Sequence, residues 1–557
     1  MTTLQAGLKW WQKTLVYELY PSSFLDTNGD GLGDLRGVIQ KLDYLKDLGV
    51  GAIWLTPIYA SPMGDNGYDV SDYYAINPLY GTMEDMDELL CEAKKRHIRI
   101  VMDLVVNHTS EECAWFKASS SSKDNPYSDW YIWRDAKPNG QEPNNWGGIF
   151  GGSAWTWCEA RQQYYLHTFA PFQPDLNWEN PAVRQAIYAI ANFWLDKGVG
   201  GFRIDAVPYI KKPASFADGP VNEATGFAPI HRETANSPGI LDFLHEFKHQ
   251  VEDGKDIFTV GEANGVTADA LPQWVGVNGV FDMIFEFNHL DVKFADGEVW
   301  YKTKNWHLTE LKKLMSASQK QTATNGWYPI FLENHGQPRS VSSFLPQAKD
   351  KQLAAKALGM LLLTLRGTPF IYQGEELGMS NVTWTDIASF NDLSTKNQYQ
   401  LALDNGLTPK QAIDVMQEHS RDNARTPMQW SAAPHAGFTT GKPWLEVNAN
   451  YVAINAAKEQ QDASSVLSWY KQLKELRAKH SVLINGSYEE LLCESETIFA
   501  YKRTNEQESA LIFINFTDKP QSYPLELVAG VQLALASLDA AEKGLLRPYE
   551  AVCWVQG

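Results

Sequence analysis

At 557 residues the chain exceeds what one hydrophobic core usually supports, so two or three domains are expected. A formal charge of −19 excludes nucleic acid and anionic membrane surfaces as partners, since both need clustered Lys and Arg, and leaves a neutral substrate as the easier reading. Cys91, Cys113, Cys158, Cys493 and Cys553 are odd in number and widely spaced, and there is neither a basic, apolar leader nor an apolar run of about 18 residues. The expectation is therefore a cytoplasmic protein with reduced thiols and no membrane anchor; no obligate protein partner is indicated.

In chain order, residues 15–20 read as a short strand that runs into DTNGDGLGD, after which Leu35, Val38, Ile39, Leu42, Leu45 and Leu48 recur at helical spacing. Residues 52–56 form the next apolar run. Strand-length runs separated by helical stretches then follow at 99–103, 201–205, 258–262, 281–287, 328–333 and 370–373. Eight such runs are what a closed parallel barrel requires, so the predicted fold class is α/β, a (β/α)8 TIM barrel. Between the third and fourth runs, residues 109–178 are rich in Ser, Asn, Gly and Trp and far exceed a βα loop, which predicts an inserted subdomain. After about residue 475 the stretches SETIFAYKR, SALIFINFT and AVCWVQG alternate as strands do, predicting a C-terminal antiparallel β-sandwich. The expected division is barrel 1–104, insertion 105–178, barrel 179–478 and β domain 479–557.

Two of the runs end in acids. In Gly201-Phe202-Arg203-Ile204-Asp205, alternation sends Arg203 and Asp205 to one face, and Phe258-Thr259-Val260-Gly261-Glu262 closes in the same way. Strand C-termini form the active-site cup of a parallel barrel, and a carboxylate pair there suits glycoside hydrolysis. In DTNGDGLGD, oxygen-bearing residues alternate with glycines as at the start of an EF-hand loop. Without its helices or its distal Glu, the loop predicts one structural Ca²⁺, with Mg²⁺ as the alternative, on Asp26, Asn28, Asp30, Leu32 and Asp34.

DLVVNH (103–108), GFRIDA (201–206), VGEA (260–263) and NHGQPR (334–339) resemble, in order, the four signature regions of glycoside hydrolase family 13, the α-amylase family. SPMGDNGYDVSDY, QPDLNWENP and SRDNARTPMQW are similar to its oligo-1,6-glucosidase and α-glucosidase branch. The resemblance implies a retaining, exo-acting α-glucosidase of short α-glucosides that hydrolyses and also transfers glucose. In it Asp205 would be the nucleophile and Glu262 the acid and base. It further implies that Arg203 favours ionised Asp205, that His108 and His335 bind hydroxyls of the reacting sugar, and that Tyr68 stacks on it. Asp65, paired with Arg421, would close the pocket end. Ala206, a small residue after the nucleophile, resembles the members that accept α-1,4 bonds.

One position departs: where the family has Asp in NHD, this chain has Gly336. Losing one or two charge-assisted hydrogen bonds of about 1.5–3 kcal/mol each predicts a rate roughly 10²- to 10⁴-fold lower. The alternatives are a sucrose isomerase or trehalose synthase-like rearrangement, and a non-catalytic sugar-binding protein or transporter subunit, for which Gly336 is the argument.

Overall fold

The computed structural model describes residues 7–276, 278–295, 299–324 and 326–556. Eight short strands, β1 (Val16–Leu19), β2 (Ala52–Leu55), β3 (Arg99–Val105), β4 (Gly201–Asp205), β5 (Phe258–Glu262), β6 (Met283–Phe285), β7 (Pro329–Ile330) and β8 (Thr368–Tyr372), form one parallel sheet. Their order is β6-β5-β4-β3-β2-β1-β8-β7, so the sheet curls through β1 and nearly closes between β6 and β7. The rings of Phe285 and Phe331, 4.9 Å apart, fill that seam. β7 is shorter than the apolar run 328–333 because Pro329 supplies no N–H to a ladder.

The helices are placed by their end residues. Asn180 caps Pro181–Lys197 through a bond from Ala182 N, Pro181 needs no N–H partner in the first turn, and Gly198 ends the helix in the left-handed region. The helix face then packs inward through Val183, Ile187, Ile190, Ala191 and Trp194, all fully buried. Two strand entries need glycine outright. Gly201 (φ 150°) and Gly367 (φ 140°) lie where a Cβ would stand 2.0 Å from the carbonyl of Phe258 and 2.1 Å from that of Tyr328. The apolar stretch from Leu35 to Leu48 is two helices, Leu35–Gln40 and Leu42–Leu48, because Lys41 leaves the helical region (φ −103°, ψ 5°).

Between β3 and β4 the chain builds a three-stranded antiparallel sheet of Trp133–Arg134, Gln163–Leu166 and Trp155–Cys158, with Gln163–Leu166 in the middle. Phe116, Trp133 and Tyr165 pack it together. Beyond the barrel, β9 (Ser487–Leu491), β10 (Ile498–Thr504), β11 (Ser509–Asn515), β12 (Gln532–Ala536) and β13 (Ala551–Gln556) make a five-stranded antiparallel sheet in the order β9-β10-β11-β13-β12. A two-residue ribbon covers one face through Tyr523, which stacks on Phe513 at 4.2 Å. The other face rests on the helix Lys351–Thr364, where buried Arg503 donates to the carbonyls of Thr364, Leu483, Gly486 and Ser487. No helix among the described residues is long and apolar enough to cross a membrane.

Candidate active site

Parallel pairing brings the C-terminal ends of β3, β4 and β5 side by side, with Asp103 in register with Arg203 and Arg203 with Val260. One guanidinium thereby meets three carboxylates. Arg203 Nη1 is 2.9 Å from Asp103 Oδ1 and 2.6 Å from Asp205 Oδ1, and Nη2 is 2.6 Å from Glu262 Oε2. All four groups are largely buried, so one positive charge faces three acids and all three cannot be ionised comfortably together.

Burial is the main cause of the upward displacement of all three acids, opposed by Arg203 and reinforced by the neighbouring carboxylates. Glu262 is pushed up to about 7, so it is protonated below neutrality and a large share of it is still protonated near pH 7. Its Oε2 also accepts the Ala206 N–H at 3.1 Å, and a hydrogen bond with Asp205 favours the proton on Glu262 and the charge on Asp205. Ala206 follows the strand end in the left-handed region at φ 49°, an uncommon place for a residue with a Cβ, and that turn is what aims its amide at Glu262.

These groups open into a cavity of about 700 Å³ at the C-terminal mouth of the barrel, also lined by Asp65, Tyr68, His108, His335, Gly336 and Arg421. Asp65 stands on its lining with Oδ1 3.3 Å from Arg421 Nη2, while Gln173 donates to Oδ2 at 3.1 Å. Arg421 is held more tightly from behind by Asp392, 2.5 Å from Nη2. Burial works against the Asp392 charge, but Arg421 and Arg425 bring this acid down to about 2. The pair at the pocket end is thus anchored by an acid that no sequence motif marks.

The two histidines are less free than sequence suggests. His108 Nε2 faces the Tyr68 carbonyl at 3.2 Å and Gln173 Nε2 at 3.2 Å. His335 has Glu18 Oε1 2.6 Å from Nδ1 and Tyr68 OH 2.7 Å from Nε2. Burial, ahead of the neighbouring arginines in the case of His335, keeps both rings neutral. Tyr68 lies flat against His335, with ring centroids 5.3 Å apart at 13°.

Gly336 lines the same cavity. A Cβ built there would meet one atom within 4 Å, Asn334 Oδ1 at 3.3 Å, which accepts the Gly336 N–H at 2.8 Å and would have to give by a few tenths of an ångström. The insertion is fastened above by Lys212, whose buried ammonium donates to Asp175 Oδ2 at 2.8 Å, to Asn107 Oδ1 at 3.0 Å and to the Tyr209 carbonyl. One nitrogen therefore joins the loops after β3 and β4 to the end of the insertion. Phe169, projecting from that insertion, sits 5.0 Å from the His108 ring.

In the loop 26–34 the predicted cation ligands hydrogen-bond within the loop and to its neighbours. Asp26 accepts the N–H groups of Asn28, Gly29 and Gly31 and the Thr439 hydroxyl, and Asp30 accepts from Leu32 N and Asn28 Nδ2. Asp34 accepts from Thr27 and caps the next helix through Gly37 N. The donor types suit a hard cation. Among the described residues no three His, Cys, Asp or Glu converge as a metal group; the expected set also draws on Asn28 and the Leu32 carbonyl, which are not of those types.

Four members of the site carried no sequence signal: Trp54, whose indole N–H donates to Asp103 Oδ2 at 3.2 Å, Glu18, Asp392 and Lys212. Asp103 opens the DLVVNH stretch, but only its contact with Arg203 gives it a place in the site.

Residues 18–486 match the family model described as the α-amylase catalytic domain. The chain is 44% identical over 552 residues to an oligo-1,6-glucosidase of Parageobacillus thermoglucosidasius, covering 97% of this chain and 98% of that protein. It is 43% identical over 555 residues to a trehalose-6-phosphate hydrolase of Bacillus subtilis, with 98% of each covered. The crystal structure of an isomaltulose synthase from Protaminobacter rubrum superposes with a TM-score of 0.94 at 40% identity, covering 99% of this chain and all of that one. With the strand-end carboxylates and barrel described above, these matches establish that the chain belongs to the α-amylase family, glycoside hydrolase family 13.

Proposed function

We propose that the protein is a retaining, exo-acting α-glucosidase of short, neutral α-glucosides, and that Gly336 strongly reduces its turnover. The observation that carries this reading is the single guanidinium of Arg203 holding Asp205 and Glu262 by its two terminal nitrogens at the mouth of a pocket closed by Asp65 and Arg421. Sharing one planar fork keeps the two carboxyl groups near each other, as suits direct attack on the sugar (about 5–5.5 Å) more than a site that leaves room for an intervening water.

Asp205 attacks the anomeric carbon of the terminal glucose while Glu262, protonated near neutrality, delivers its proton to the departing oxygen. Glu262 then takes a proton from water, which attacks the glucosyl-enzyme and releases glucose with its original anomeric configuration. A second sugar in place of water gives transfer. Tyr68, His108 and His335 form the wall against which the ring lies. The pair at the closed end leaves no room for a further unit.

The relatives span neutral and phosphorylated substrates, and the charge of the lining favours neutral ones. Among the described lining residues the only Arg or Lys side chains are Arg203 and Arg421, both already paired with acids, while Asp291 and Asp404 stand on the wall. A phosphate ester would meet repulsion there and no free guanidinium or ammonium. Ala206 leaves space beside Asp205, so maltose-type α-1,4 bonds are expected to be accepted.

The test is glucose release from maltose, isomaltose, sucrose and trehalose 6-phosphate by the parent, Gly336→Asp and Gly336→Ala. Asp at this position should raise kcat/KM on a neutral disaccharide at least about 10²-fold, and Ala should not. An inert but folded and sugar-binding G336D would favour the non-catalytic reading. Formation from sucrose of an isomeric glucosylfructose with a new linkage, in place of free glucose and fructose, would favour rearrangement.

A cation on the loop 26–34 is a separate proposal. Asp26, Asn28, Asp30, the Leu32 carbonyl and Asp34 would hold it, and it would only brace the loop. Millimolar Ca²⁺ or Mg²⁺ against EDTA should then move Tm by several degrees, and an unchanged Tm ends the proposal.

A further inference from the structure

Behind the sugar-facing wall, four buried side chains make one unbranched chain of hydrogen bonds. Glu18 Oε1, on β1, lies 2.6 Å from His335 Nδ1; His335 Nε2 lies 2.7 Å from Tyr68 OH; and Tyr68 OH lies 3.0 Å from Asp103 Oδ2. Asp103 is in turn the carboxylate that shares Arg203 with Asp205.

Each of the three links needs a hydrogen. A neutral imidazole supplies one and the tyrosine hydroxyl supplies one, which leaves one link empty if both end acids are ionised. We propose that Glu18 is a positioning residue that holds the third proton, so that Glu18, His335, Tyr68 and Asp103 form a proton-carrying chain ending at the carboxylate that competes with the nucleophile for Arg203.

Two arrangements fill all three links with a neutral His335. In the first, the Glu18 carboxyl donates to Nδ1, Nε2–H donates to the tyrosine oxygen, and the tyrosine O–H donates to ionised Asp103. In the second, each proton has moved one step along its own bond. Nδ1–H donates to ionised Glu18, the tyrosine O–H donates to Nε2, and a protonated Asp103 donates to the tyrosine oxygen. Nothing is oxidised and no proton leaves the chain.

The groups facing the two ends decide between them. Asp103 has the Arg203 guanidinium against both oxygens and the Trp54 indole N–H at 3.2 Å, all of which favour its charge. Glu18 receives only the backbone and ring nitrogens of His335, feels Arg203 from farther off, and faces the acids Asp103 and Glu333. Arg203, Arg421 and Arg425 surround His335 and disfavour an imidazolium. The first arrangement is therefore the resting one, with His335 in its Nε2–H tautomer. Loss of the third proton at higher pH leaves an ionised Glu18, which recruits the hydrogen to Nδ1. In the second arrangement Asp103 is neutral and Arg203 serves Asp205 and Glu262 alone.

The experiment needs no turnover, so it stands apart from the glucosidase reading: ¹⁵N-histidine-labelled protein, with the His335 signals identified by their loss in His335→Gln, followed from about pH 5 to about pH 10. The parent should show Nε2 in the protonated position at low and neutral pH and exchange roles with Nδ1 as pH rises. Glu18→Gln, whose amide donates permanently to Nδ1, should stay in the Nε2–H form throughout. A parent locked in the Nδ1–H form at every pH, or an E18Q protein that switches as the parent does, overturns the proposal. If E18Q does not fold, the parent series alone decides, since a merely structural Glu18 gives no switch.

Discussion

Two buried arginines show how differently the molecule uses one side chain. Arg203, at the barrel mouth, is enclosed by three carboxylates. Arg503, at the junction with the C-terminal sheet, is enclosed by carbonyl oxygens, with buried Arg477 donating to the same Leu483 carbonyl. Around Arg203 the charge is in excess and negative, so proton positions there are mobile. Around Arg503 the partners are neutral and fixed. Burial, then the neighbouring Arg477, holds the Arg503 guanidinium well below its usual range. The first site stores chemistry; the second stores rigidity.

Replacement of each arginine by methionine, which keeps length and removes every donor, sharpens the contrast. In the Gly336→Asp background, Arg203→Met should lower kcat/KM by about 10³-fold or more, since both reacting carboxylates lose their common partner. Stopped glucose assays read this directly, and a loss under tenfold would break the contrast. Arg503→Met should leave kcat/KM within about twofold but cost on the order of 2–4 kcal/mol in urea unfolding, because several buried carbonyls lose their donors together. Equal stability of the two variants would show that the junction is not what Arg503 holds.

The smallest effect is a pH dependence. Glu262 has a folded pKa raised to about 7, above its unfolded value. Its contribution to stability is present below the unfolded pKa and is lost as pH rises through about 7. Glu262→Gln cannot ionise, so relative to the parent it should gain roughly 1–3 kcal/mol between about pH 5 and about pH 8. A constant difference across that range would mean that Glu262 is not held protonated by its surroundings.

The barrel was legible because a parallel strand buried on both faces must be a short, continuous apolar run, and eight such runs stand in order along the chain. Asp205 and Glu262 were legible for the same reason, as acids closing two of them. Asp392 was not, because its meaning lies in a contact with Arg421, 29 residues away in sequence and joined only by the fold. Glu18 sits inside an apolar strand where a charge looks like an exception, and its partner His335 is 317 residues distant. In the loop 26–34 the alternation of acids and glycines that suggests a cation site also lets the carboxylates accept the loop's own N–H groups.

The Lys212 cross-bridge has a consequence for how the molecule comes to completion. Its ammonium is the hub between the insertion and two barrel loops, and it arrives with the chain itself. Because the hub is a side chain, the link between the insertion and the two barrel loops is fixed by the gene and is open to removal by a single codon change.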